Sequence, residues 1–130
     1  MTITYSVHKG GHFIRAVASG TVTGDEFIEY EIAHAADDRI IPPVSELLEI
    51  QHGAFKNVSQ DDISRALSMR KESQKLPIPH RCGIVVASRD THAWKLAKFY
   101  ETMAILHYPE SVIVFGDLHI ARTWLGVEDM

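Results

Sequence analysis

The sequence predicts an α/β fold with its elements in the order ββαβαβαβα, and three observations carry that prediction. The first lies in Arg81 to Leu106. Gly83 to Ala87 is apolar, uncharged and too short for an ordinary helix, and a polar switch and about four turns of helical periodicity follow it. That is a buried strand, covered on both faces, feeding a helix. The second is the start of the chain. Ile3, Tyr5 and Val7 alternate with Thr4 and Ser6, the period of a half-buried strand, and Lys9-Gly10-Gly11 supplies residues suited to a hairpin turn. The third is the alternation of strand and helix along the rest of the chain. It demands parallel strands joined by right-handed crossovers, with the opening hairpin adding an antiparallel edge.

Each remaining element has its own reason. The second strand, His12 to Ser19, is rich in β-branched residues and flanked by glycines, although its alternation is imperfect. Thr23 followed by Glu26 is a capping box ahead of a helix from about Gly24 to Asp37, with Phe27, Ile28, Ile32 and Ala35 as its inner face. Pro42 and Pro43 exclude helix, and Glu46 to Gln51 reads as an inner strand through Leu47, Leu48 and Ile50. Glu46 and Glu49 would suit an exposed helix face, but the space between Pro43 and Gly53 is too short for a stable helix. Ser59 caps the next helix, with Asp61 and Asp62 in the first turn and Lys71 and Lys75 near the other end. Its narrow stripe of Ile63, Ala66 and Leu67, extended by Met69 and Arg70, predicts a surface helix, which Leu76-Pro77-Ile78-Pro79 breaks. Ser88 or Asp90 caps the long helix, whose inner arc is Ala93, Leu96, Ala97, Tyr100, Met103 and Ala104. Pro109 forces Tyr108 out of it, and Ser111 to Phe115 repeats the buried-strand pattern. Asp117 then caps a last helix through Leu125, closed by Gly126.

Composition bounds the function. At 130 residues and 45% apolar, the chain is one domain with a single sizeable core. A net charge of -4 without a dense Lys/Arg cluster argues against nucleic acid as a partner. The apolar runs fall far short of the roughly 20 residues that cross a bilayer. A start without a signal-peptide pattern and a single cysteine lead us to expect a cytoplasmic location.

The candidate ligand site is the rim at the carboxyl ends of the strands, where open α/β sheets bind polar molecules. It holds Gln51 and His52, then Ser88, Arg89, Asp90 and Thr91 at the start of the long helix, then Gly116 and Asp117. Ser88 to Thr91 would offer amides, hydroxyls and a guanidinium to an anion, although Ser or Asp at a helix start is usually a cap. The eight histidines show no H-x-H or H-E-x-x-H spacing. Only His52, His92 and His119 could converge, and His34 and His107 read as helix-surface residues; no metal and no cofactor is expected. Cys82 reads as a packed thiol. A catalytic reading, with His52 as base and Asp117 as its orienter, lacks a nucleophile or metal set, so no enzyme is expected. Trp94 and Ile105 fall on the charged side of the long helix, with Phe55 in a nearby loop, and form the candidate surface for a protein partner or the membrane.

Three stretches carry a family resemblance: ASGTVTGDEF at Ala18 to Phe27, IVVASRDTHAWKLAKFYE at Ile84 to Glu101, and SVIVFGDLHIARTWLG at Ser111 to Gly126. In the last, Val112, Val114, Phe115, Asp117, Ala121, Trp124 and Leu125 are the telling positions. Together they resemble the SpoIIAA-like branch of the STAS superfamily. The resemblance implies a mixed five-stranded sheet with helices mainly on one face. It also implies a bacterial, non-enzymatic regulatory role like that of anti-sigma-factor antagonists, with a more distant likeness to the lipid-binding CRAL-TRIO fold. In the antagonists a phosphorylatable Ser follows an Asp after the middle strand. Here that strand ends Glu49-Ile50-Gln51-His52, and the next serine at a helix start, Ser59, reads as a cap.

The expected function is thus a small cytoplasmic binding or regulatory module, at most peripheral to the membrane, that holds a protein partner or the membrane surface. The alternative is a carrier or sensor of a small amphipathic ligand, its tail in a gap lined by Tyr100, Met103 and Phe55. A homodimer through the helical face, with Trp94 near its own copy, is expected from the apolar surface and the open hairpin edge.

Overall fold

The chain enters as an antiparallel pair, β1 (Ile3–His8) and β2 (Phe13–Ala18), joined by a tight turn over Lys9–Gly11. Lys9, Gly10 and Gly11 all have positive φ, which two glycines in three positions make affordable. The structure is a computed structural model and describes residues 2–73, 80–107 and 110–127. After the hairpin come α1 (Gly24–Ala35), β3 (Val44–Ile50), α2 (Gln60–Ser73), β4 (His80–Val86), α3 (Thr91–His107), β5 (Glu110–Phe115) and α4 (Leu118–Leu125). The order is the one predicted.

The strands form one mixed sheet in the order β1-β2-β3-β4-β5, with β2 to β5 mutually parallel. Each crossover therefore steps to the neighbouring strand in one direction, and right-handed crossovers of that kind put their helices on one face. Residues of α1, α2 and α3 share a core with Ala16, Leu48, Ile84 and Val112. The other face is covered by α4, through Ala121 and Leu125 on Phe13, Leu47 and Val85. Gly83 faces α4, and a Cβ there would meet Leu125 at 3.3 Å, so its bare backbone lets α4 lie close. β4 is covered on both sides, as its apolar run requires. β5 is an edge, and the Val114 N–H is taken by Glu101 Oε2 of α3 at 3.0 Å.

The caps fall as read. Thr23 and Glu26 bond reciprocally, as do Ser59 and Asp62, while Asp117 accepts from Ile120 N–H and Gly126 ends α4 at positive φ. At α3 it is Asp90, not Ser88, that accepts, from Ala93 N–H at 3.3 Å. The expected breaks at 76–79 and 108–109, and Lys75, lie outside the described residues, as do the side chains of Lys71 and His107.

Several placements differ from expectation. Phe55 is 2% exposed and packs edge-on against Phe27, because the loop after β3 folds back over the core. It lines no surface, and with Tyr100 also in the core, those two line no ligand gap. Trp94 does not project outward but lies half-buried against the main core, while Ile105 is 60% exposed as expected. The inner face of α1 is Phe27, Ile28, Tyr30, Glu31 and His34, with Ile32 and Ala35 only half-buried. His34 is thus no surface residue. On α2 the two residues at the end of the stripe separate, Arg70 buried and Met69 exposed.

Candidate functional site

At the carboxyl-end rim the structure brings His52 and Asp90 together, with Nδ1 3.8 Å from Oδ2. That carboxylate already accepts the Gly53 N–H at 2.8 Å and the Ala93 N–H, so it ties the loop after β3 to the start of α3. Ser88, Arg89 and Thr91 are exposed beside it. Asp117 is not brought to His52: β4 lies between their strands, and Asp117 is occupied as the cap of α4. His92 bonds the Val58 carbonyl, and His119 sits exposed on α4, so the three rim histidines do not form a cluster. Because the strand order runs one way from β2 to β5, the sheet also lacks the reversal that opens a crevice at that end.

The concentrated chemistry lies instead under the helices, at the amino ends of the strands. Glu46, His80 and Glu110 stand near the starts of β3, β4 and β5 on the helix-covered face; His80 and Glu110 are ladder partners, and Glu46 lies two residues beyond Val44, the partner of His80 in β3. Tyr30, Glu31 and His34 of α1, Arg70 of α2 and Tyr100 of α3 come down onto them. Glu31 and Glu46 are both 0% exposed. Glu46 Oε1 is 2.8 Å from His80 Nε2, and its Oε2 accepts from the Tyr30 hydroxyl. Arg70 donates to Glu31 at 3.2 Å, to the Tyr100 oxygen at 2.9 Å, and to Glu110. Tyr100 Oη lies 3.3 Å from both Glu31 and Glu110. Every helix of that face and three strands are thereby joined through one set of charged groups.

Burial governs the protonation of this set. It pushes the Glu31 carboxyl up to about 8, with Arg70 opposing and the Glu46 and Glu110 charges adding. Burial lowers His34, so its ring is neutral. His80 is raised: burial works against its charge, but Glu110 and the Glu46 hydrogen bond prevail. Against burial, Glu46 is held well below the usual carboxylate range by the neighbouring His34 ring, the bonded His80 and the Tyr30 hydroxyl. Two ion pairs, Arg70–Glu110 and His80–Glu46, thus share the interior with a protonated Glu31 and a neutral His34. Burial also pushes the Cys82 thiol up, which keeps it protonated and inert, as read.

His80 reaches a second feature. A cleft of ≈ 370 Å³ opens at the amino ends of β2, β3 and β4 beside the end of α4, with His80 at its base. Phe13, Val44, Leu125 and Val127 give it an apolar floor, and Lys9, His12 and Arg81 stand around it without any carboxylate among the described lining residues. The Arg81 guanidinium lies over the Trp124 ring, 5.5 Å from its centroid, and donates to the carbonyls of Trp124 and Leu125 at 3.3 Å, the last-turn acceptors of α4.

Sequence reasoning missed both places. A polar residue on a helix is read as facing water, so Glu31 and His34 gave no core signal; Arg70 was read at the end of the α2 stripe, but the partners that bury all three come from distant elements. One local sign was present: Glu31-x-x-His34 puts a carboxylate and an imidazole on one helix face. Comparison of the chain with protein-family models, with curated proteins and with solved structures gives no match. No helix among the described residues is long and apolar enough to cross a membrane.

Proposed function

We propose that the chain is a small non-enzymatic binding module, working in the cytoplasm, whose ligand is a small anionic amphipathic molecule seated in the amino-end cleft. One observation carries this reading: in a chain of net charge -4, a cleft of ligand size sets the Arg81 guanidinium and the His12 imidazole beside an apolar floor, with no carboxylate among its described lining residues. A regulatory output, as the SpoIIAA-like resemblance implies, agrees with His80 belonging to both the cleft and the buried charged set. Isothermal titration with decanoate and with decyltrimethylammonium tests it. Decanoate should bind and the cation should not, and Arg81→Glu should weaken decanoate by about tenfold or more, the worth of one charge-assisted hydrogen bond. Equal uptake of both head groups, or an unchanged affinity in the variant, overturns the reading.

A protein partner is the second reading, favoured by a different observation. Ile105 and Leu106, at the end of α3, are 60% and 67% exposed, and Ile113 on the edge strand β5 is 38% exposed. Apolar side chains thus flank both sides of β5, a surface suited to a protein more than to an anionic bilayer, which the net charge of -4 opposes. A second copy of the chain is the partner open to immediate test, with β5 in place of Trp94 at the contact. Light scattering over a dilution series should give a dimer for wild type and a monomer for Ile105→Glu with Leu106→Glu. A concentration-independent monomer in wild type rules out self-association at this edge.

A further inference from the structure

His34 carries an observation that neither reading uses. Its Nδ1 lies 2.9 Å from the Tyr30 carbonyl oxygen, which can only accept, so the ring proton sits on Nδ1 and Nε2 bears the lone pair. Nε2 is buried without a hydrogen-bond partner. It points between Glu31 Oε2 and Glu46 Oε1, 3.8 Å from each. Of these three atoms the carboxylate oxygens are bonded by Arg70 and His80, and His34 Nε2 alone is left with a lone pair and no donor.

We propose that Glu31, His34 and Glu46 form a binding site for one divalent first-row transition ion. The three donor atoms lie within 4.8 Å of one another, and the bonds of such an ion, of the zinc type, place neighbouring donors about 3.4 Å apart, so closure draws the imidazole in by about 0.4 Å and the two carboxylates together by up to about 1.4 Å. One imidazole and two carboxylates suit a borderline cation and balance its charge. The supporting shell is already built. Tyr30 O fixes the His34 tautomer, Tyr30 Oη and His80 bond Glu46, and Arg70 and Tyr100 hold Glu31. The Arg70 charge is answered by Glu110. A small cavity beside Ile40 and Val44 reaches His34, Arg70 and His80, with ≈ 10 Å³ for the centre of a water, enough to admit one small species.

Equilibrium dialysis of the chelator-treated chain against Zn2+ tests the site. Wild type and the exposed-histidine control His119→Ala should bind one ion alike, and His34→Ala should bind at least about a hundredfold more weakly, the upper end of what even an outer-shell partner costs. With eight histidines in the chain, unchanged binding in His34→Ala would mark surface capture and overturn the proposal, as would no binding by wild type. If His34→Ala fails to fold, X-ray absorption of zinc-loaded wild type decides. A shell of one imidazole with carboxylate oxygens upholds the site; two or more imidazoles, or oxygen donors alone, refute it.

Discussion

Replacing Arg70 with Met should lower the free energy of unfolding by about 3–5 kcal/mol, the cost of leaving a buried charge without its partner. Arg70 is 2% exposed and donates to Glu31, Tyr100 and Glu110, residues of three other elements. Methionine fills much of the same volume, so the loss reports the charge more than the packing. The companion variant Arg70→Met with Glu110→Gln removes the stranded carboxylate and should recover more than half of the loss. Urea unfolding at neutral pH measures both. A change below about 1 kcal/mol for Arg70→Met, the range of an exposed pair, would mean that water reaches this set and that it is not the interior described here.

The protonation of the same set predicts that the metal-free protein is more stable at pH 6 than at pH 8.5. The unfolded Glu31 carboxyl ionises at its ordinary value of 4.5, whereas burial holds the folded one protonated up to about 8. Between those values the folded state binds the extra proton, so stability falls as pH rises. His80, raised in the fold, adds to the decline above its ordinary value of 6.5. His34 acts the other way: lowered in the fold, it costs stability as pH falls below 6.5 and the unfolded ring takes up a proton. Glu46, held low, costs stability below 4.5, where the unfolded carboxyl protonates. The groups facing Glu31 are Arg70, His34, Glu46, Glu110, His80 and Tyr100, and of these Arg70 stays charged throughout. From pH 6.5 to 8 Glu31 alone is worth about 2 kcal/mol. Glu31→Gln, which copies the neutral carboxyl, should match wild type only near pH 4.5 and gain on it as pH rises, with the gap wider by about 2 kcal/mol at pH 8 than at pH 6.5. Denaturation in the presence of chelator across pH 4 to 9 reads the curve, and a wild-type alkaline limb as flat as that of Glu31→Gln would contradict the protonated Glu31.

What the sequence revealed was the part of the fold that neighbouring residues decide. Thr23 with Glu26, Ser59 with Asp62, and Asp117 with Gly126 act within a turn of themselves, so their caps could be read and were found. The apolar run of β4 declared its two-sided burial for the same reason. Glu46 was read as an ordinary polar residue of β3 because its burial depends on Tyr30 and His80, 16 and 34 positions away. Trp94 and Phe55 failed in the opposite sense: helical phase and loop position suggested exposure, but half-burial against the core and a folded-back loop decided otherwise. The amino-end cleft depends on where α4 ends against β3 and β4, a tertiary fact with no local pattern.

The bond from Glu101 to the Val114 amide bears on how the chain behaves among strangers in a crowded solution. An open strand edge is a template on which unfolded or foreign segments can add, the first step toward fibrils. With its carboxylate held on β5 and its other oxygen 2.6 Å from Lys98 Nζ, Glu101 confronts any incoming strand with a charge that must be buried before the ladder can extend. β5 can then keep an apolar flank beside an edge that resists runaway polymerisation.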